Sequence, residues 1–175
     1  MSNDGSVKSK PQEIQATVAL PIDAPERRRL PLLLRRCWYG LNQTFRRRIA
    51  HLEITPDQFT VMRTLQEGNP KGLTQRELTD LMSSDPNTIA SLLERMEALG
   101  LVERHPHETD RRAYQIQLKP VGKQKYEEAR EIAVSLQKEI LAVLPEAKRE
   151  EFLEHLALIA GACRVVSEKT TARTT

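Results

Sequence analysis

The stretch Leu73–Leu118, LTQRELTDLMSSDPNTIASLLERMEALGLVERHPHETDRRAYQIQL, constrains this chain more than any other. It opens on Thr74-Gln75-Arg76-Glu77, the pattern of a capping box, in which the Thr hydroxyl accepts the Glu77 amide and the Glu77 side chain returns to the Thr74 amide. Leu78, Leu81 and Met82 follow at helical spacing and are expected on one buried face. Ser83-Ser84 interrupts that helix. Asp85-Pro86 starts another, with Asp85 at the N-cap and Pro86 at the first helical position, where a missing N–H costs nothing. Ile89, Leu92, Leu93, Met96 and Leu99 are its expected apolar stripe, and Gly100 stands where a left-handed residue ends a helix.

Two short strands come next. Leu101–Arg104 reads as one, and Tyr114–Leu118 alternates apolar and polar as a half-buried strand does. Residues 105–112 between them, HPHETDRR, are polar and interrupted by Pro106, so they form the tip of a projecting hairpin. Helix, turn, helix and hairpin in this order spell a winged helix-turn-helix. The expected fold is mainly α with a small β-wing.

That arrangement puts short polar side chains, Asn87, Thr88 and Ser91, on the outer face of the second helix near its N-terminus, where base edges are reached. Thr74, Arg76, Ser84 and Arg95 are placed to hold phosphates. Arg111 and Arg112 are placed to enter a narrow minor groove, whose negative potential attracts guanidinium groups. The expected partner is double-stranded DNA. A solvated helix face beside an ordinary hairpin is the plain alternative, and the near balance of charge from Pro86 to Lys119 gives no separate support to either reading.

These residues carry a resemblance. The helix start Leu73–Leu78, the run LLERMEALGLV at Leu92–Val102, and Asp110-Arg111-Arg112 followed by Leu118 together resemble the MarR family of bacterial transcriptional regulators. With its flanking helices the likeness spans roughly Leu30 to Val166. It departs from the family pattern at Leu118-Lys119-Pro120, where relatives have a capping Thr, so Pro120 is expected to open the next helix. The resemblance implies a winged helix-turn-helix flanked by N- and C-terminal dimerisation helices, and a cytoplasmic homodimer on a pseudo-palindromic operator, commonly as a repressor. It also implies a small aromatic or phenolic effector held between the dimerisation helices and the DNA-binding lobe. Trp38, Tyr39, His51 and Arg63 offer the apolar walls and polar anchors such a site needs. The plain reading of Trp38 is a core anchor, and that of His51 a cap on helix-terminal carbonyls.

The rest of the chain fits that plan. Residues 1–29 hold Ser, Lys, Gln and several prolines without periodicity, ending in Arg27-Arg28-Arg29, and read as a flexible arm. A first dimerisation helix over 30–54 places Leu30, Leu34, Cys37, Leu41, Phe45, Ile49 and Leu52 on one stripe. The DNA-binding domain over 55–119 opens with a second capping box, Thr55-Pro56-Asp57-Gln58, whose helix buries Phe59, Met62 and Leu65 and stops at Gly68-Asn69-Pro70. The C-terminal dimerisation helices over 120–168 divide at Pro145. Their apolar lines are Tyr126, Ala129, Ala133, Leu136, Ile140 and Val143, then Phe152, Leu156, Ile159 and Cys163. A tail occupies 169–175. Helices this long need a further surface to cover their stripes, and a two-fold dimer supplies it, with recognition helices about 34 Å apart.

Composition narrows the alternatives. A chain of 175 residues with a formal charge of +3 permits nucleic-acid binding without requiring it. Aromatic residues make up 4%, too few for single-strand binding by base stacking. The apolar run Leu156–Cys163 is too short to span a bilayer, so no membrane partner is expected. Cys37 and Cys163 form neither a disulfide framework nor a metal pattern, and the four histidines do not cluster. No cofactor is expected. Without a P-loop, GxGxxG, HExxH or nucleophile elbow, the chain is not read as an enzyme. Two rival readings remain: a thiol-based sensor using Cys37, flanked by Arg35 and Arg36, and a winged-helix protein-interaction module without specific DNA binding.

Overall fold

The computed structural model describes residues 29–107 and 113–172. Its elements are α1 (Leu30–Arg48), a 3-10 turn (Ala50–Leu52), α2 (Pro56–Glu67), β1 (Leu73–Thr74), α3 (Gln75–Leu81), α4 (Pro86–Ala98), β2 (Val102–Pro106), β3 (Tyr114–Leu118), α5 (Pro120–Leu141), a second 3-10 turn (Glu146–Lys148) and α6 (Arg149–Ala172). The three strands form one antiparallel sheet in the order β1-β3-β2. Winged helix-turn-helix organisation is present as expected, with one addition. The wing is three-stranded because Leu73 and Thr74 pair with Ile116 and Gln115. A two-residue strand carries too little alternation to be visible in sequence.

Two compact units divide the chain between Tyr39 and Gly40. The first contributes the N-terminal half of α1, where Leu30, Leu32, Leu33, Leu34, Trp38 and Tyr39 are all exposed. Trp38, 63% exposed, is therefore no core anchor of this chain. Cys37 is likewise exposed rather than packed into a core.

The second unit holds the hydrophobic core. Phe45 meets the ring of Phe59 edge-on at 4.9 Å, and Phe59 stacks on Tyr126 at 5.8 Å, joining α1, α2 and α5 through one aromatic chain. Ile49, Met62, Leu78, Ile89, Leu93 and Met96 are fully buried around it. The expected unbroken first helix instead stops at Arg48. The chain then tightens into the Ala50–Leu52 turn, closed by Glu53 in the left-handed region at φ 55°. This bend puts both Ile49 and Leu52 into the core and presents the Leu52 carbonyl to the Lys125 ammonium at 2.7 Å.

Both capping boxes form. Thr55 Oγ accepts the Gln58 N–H while Gln58 Oε1 accepts the Thr55 N–H. The same reciprocal pair links Thr74 and Glu77. Helix α5 starts at Pro120 with no side-chain cap, as the missing Thr at Lys119 led one to expect. Helix α6 runs on to Ala172, so helix occupies the first residues of the stretch read as a tail.

Two leucines leave their expected stripes. Leu81 is 64% exposed because α3 ends on it, while Leu78 is fully buried and Met82 packs against the core. Leu99 is 57% exposed because the chain turns away at Gly100, φ 67°, and Leu101 takes the buried place instead. On α5, burial ends after Leu136, leaving Ile140 exposed, and Val143 lies past the helix end.

Candidate nucleic-acid interface

Helix α4 has one buried and one open face. Ile89, Leu92, Leu93 and Met96 fix its rotation in the core, and Asn87, Thr88, Ser91, Glu94 and Arg95 are thereby turned to solvent. Asp85 caps its first turn, accepting the N–H of Asn87 at 3.1 Å and of Thr88 at 2.9 Å on Oδ1. Thr88 Oγ donates to the other carboxylate oxygen. This hydroxyl bond, with the two amides, holds the Asp85 carboxyl below the ordinary aspartate range.

The turn between α3 and α4 sets the angle of presentation. Ser84 N–H donates to Thr79 O at 3.1 Å and Ser83 N–H to Asp80 O at 3.2 Å, the double closure of a Schellman turn. Ser83 occupies the left-handed position at φ 50°, where glycine is usual. The C-terminus of α4 repeats the closure with glycine in that place. Leu101 N–H reaches Met96 O, and Gly100 N–H reaches Glu97 O, both at 2.9 Å.

Several side chains expected on DNA have intramolecular duties. The Thr74 hydroxyl both accepts the Glu77 amide and donates to Glu77 Oε2 at 2.8 Å, so it is committed to the cap. The Thr74 amide, and after it the Thr74 hydroxyl, donate to the Glu77 carboxylate and hold it below its ordinary range. Arg95 folds back along α4, its Nε donating to Ser91 O at 3.1 Å, and remains exposed. Arg76 is exposed on α3, and Ser84 is half-buried in the turn. Asn87, Thr88, Ser91 and Arg95 thus share one open face of α4. Arg111 and Arg112 lie outside the described residues.

Sequence reasoning missed Gln75. Its side-chain amide donates to Pro86 O at 3.2 Å, tying the start of α3 to the head of α4. The available signal was a long polar residue at the first position of the helix preceding the recognition helix. At the wing base, Arg104 faces Glu97 of α4 at 3.1 Å, and His105 faces Glu103 at 3.3 Å along β2. His107 N–H donates to Ala113 O at 3.0 Å, extending the β2–β3 ladder by one pair.

The residues considered for an effector fall in both units. Trp38 and Tyr39 stand exposed in the first unit. In the second, His51 is exposed in the Ala50–Leu52 turn, and Arg63 is engaged with Glu67 at 2.8 Å. Two adjoining open crevices, about 330 and 680 Å³, lie instead between the α3–α4 turn and α6. Asp80, Ser83, Ala160 and Arg164 line both, and none of the four proposed effector residues does. Among the described residues no helix is long and apolar enough to cross a membrane.

Comparison with known proteins agrees with this geometry. The model of the MarR family matches residues 52–113. No curated protein matches the chain. Among solved structures, the Staphylococcus aureus MepR–DNA complex aligns with a TM-score of 0.72 at 20% identity, covering 78% of this chain and 99% of that one. CouR bound to a 23-mer DNA duplex aligns at 0.69 with 24% identity, over 75% of this chain and 92% of its own. CouR from Rhodococcus jostii RHA1 bound to p-coumaroyl-CoA aligns at 0.67 with 22% identity, over 74% and 90%.

Proposed function

We infer, from a chain that belongs to the MarR family through its residues 52–113, a transcriptional repressor that binds a pseudo-palindromic operator as a homodimer. The observation that carries this is the open face of α4, where Asn87, Thr88, Ser91 and Arg95 are held outward by a fully buried opposite face. Asn87 and Ser91 read base edges. Arg76 and Arg95 sit on phosphates, with Thr74 and Ser84 shaping the turn that positions them, and Arg111 with Arg112 enters the minor groove. The MepR and CouR complexes with DNA support this use of the fold.

Exposed apolar surface supports the dimer. Leu30, Leu33 and Leu34 on α1, and Leu158 and Val165 on α6, are all exposed in the single chain. Apolar surface of this extent marks an interface. A second copy covering both faces sets the spacing of the two recognition helices to one helical turn of DNA. The protein works in the cytoplasm and catalyses no reaction.

A small aromatic or phenolic effector modulates DNA affinity through Trp38, Tyr39, His51 and Arg63. The p-coumaroyl-CoA complex of CouR supports a phenolic ligand class. Such a ligand acts only by preferring one lobe spacing over the other. A second reading, a thiol switch at Cys37, gains from the exposure of that residue. Loss of DNA affinity after peroxide, reversed by thiol and absent in Cys37→Ser, distinguishes it from the effector.

Selection from a randomised pool of duplexes tests the proposal. Enrichment of an inverted repeat with half-sites about one helical turn apart is the expected result. Recovery of no preferred sequence refutes it and leaves the protein-interaction module.

A further inference from the structure

We propose that Thr88 reads DNA through its methyl group, selecting one thymine per half-site by contact with the thymine C5-methyl. This rests on the DNA-binding reading above and makes it specific. Thr88 was expected to offer a hydroxyl to the bases. In the structure that hydroxyl is tied to the Asp85 carboxylate.

The direction of that bond is fixed by chemistry. An ionised carboxylate has no proton to give, and a hydroxyl has one, so Thr88 is the donor and its only proton is consumed. It cannot donate to guanine O6 or N7, nor to thymine O4. The negative charge of Asp85, held beside it by the Asn87 and Thr88 amides, further disfavours those acceptor edges.

What remains is the Cβ methyl, together with hydroxyl lone pairs that can accept only from the amino groups of adenine N6 or cytosine N4. The hydroxyl is pinned toward the N-cap, and the backbone is pinned because Ile89, the next residue, is completely buried. Thr88 is exposed and lies one turn before Ser91 on the same open face. Apolar contact with a thymine methyl leaves that cap intact, and removal of the 5-methyl alone separates it from acceptance of an adenine or cytosine amino proton.

The test uses the full chain and a duplex recovered by it from the randomised pool, remade with each thymine replaced singly by deoxyuridine, which lacks only the 5-methyl. At one position per half-site the replacement should weaken binding about fourfold, the effect of uncovering one methyl group. Thr88→Ser keeps the hydroxyl bond and should bind the thymine and deoxyuridine duplexes equally. Thr88→Val keeps the methyl and should still prefer thymine, whatever it loses in helix stability. Indifference of the unaltered protein to every deoxyuridine, or discrimination retained in Thr88→Ser, overturns the proposal. Failure to recover any duplex instead overturns the DNA-binding reading beneath it.

Discussion

Gly122, in the first turn of α5, lies so close to the carbonyl of Leu101 that an added Cβ would stand 2.2 Å from its oxygen. The same carbonyl accepts the Lys119 N–H at 3.0 Å. Leu101 is the residue that leaves α4 and enters the wing, so this contact locks the recognition helix, the wing and α5 at one point. Gly122→Ala should destabilise the fold by about 1–3 kcal/mol, since the two nearest atoms to the new methyl are the backbone oxygen and carbon of Leu101. Urea unfolding followed by circular dichroism measures this. A neutral result would mean that α5 shifts freely at its start.

The caps make the helix-turn-helix acid-sensitive. Glu77 and Asp85 have lowered folded-state pKa values, chiefly from bonds with Thr74 and Thr88. Between the folded and ordinary values the unfolded chain binds more protons. Stability is therefore complete above the ordinary carboxylate range and declines as pH falls through and below it. Glu77→Gln keeps an acceptor for the Thr74 amide without the charge, so its stability should fall less steeply on acidification than that of the unaltered chain. Thermal melts from pH 7 to pH 3 compare the two, and parallel curves would remove Glu77 as a source of acid sensitivity.

Much of this site was legible because caps are local. Thr55, Thr74 and Asp85 declare themselves by short spacing to Gln58, Glu77 and Pro86, and each forms its bond as read. Where sequence reading failed, it extended a period past the point where the chain turns. Leu81 and Leu99 continue the helical count but sit at helix ends, and Leu101 rather than Leu99 is buried. Ser83-Ser84 marked the break after α3, but a serine does not announce a left-handed backbone as Gly100 does at the equivalent place in α4. The donor bonds of the Thr74 and Thr88 hydroxyls were hidden, because a sequence shows that a hydroxyl is present and not where its proton goes.

Base and phosphate contacts should separate in salt. Asn87→Ala should weaken binding to the selected duplex by about 1–3 kcal/mol and relax the preference at one base pair, with the salt slope unchanged. Arg95→Ala should weaken all duplexes alike and flatten the slope by about 2 for a dimer. Fluorescence anisotropy at several salt concentrations reads both. Exchange of the two phenotypes would reverse the assignment of roles on α4.

The dimer proposal is tested on α6. Leu158 is 70% exposed and Val165 is 44% exposed in the single chain, so charging them removes no contact of the core. The double variant Leu158→Glu, Val165→Glu should fold, sediment as a monomer and lose most of its operator affinity. A variant that stays dimeric would move the interface off this face of α6.

Salt dependence of binding to the selected inverted repeat, set against a scrambled duplex of equal length, tests the central claim most directly. The account predicts a marked preference for the repeat, and a logarithmic slope of about −4 or steeper if Arg76 and Arg95 of both protomers release counterions. Equal affinity for both duplexes, or binding indifferent to salt, would contradict it.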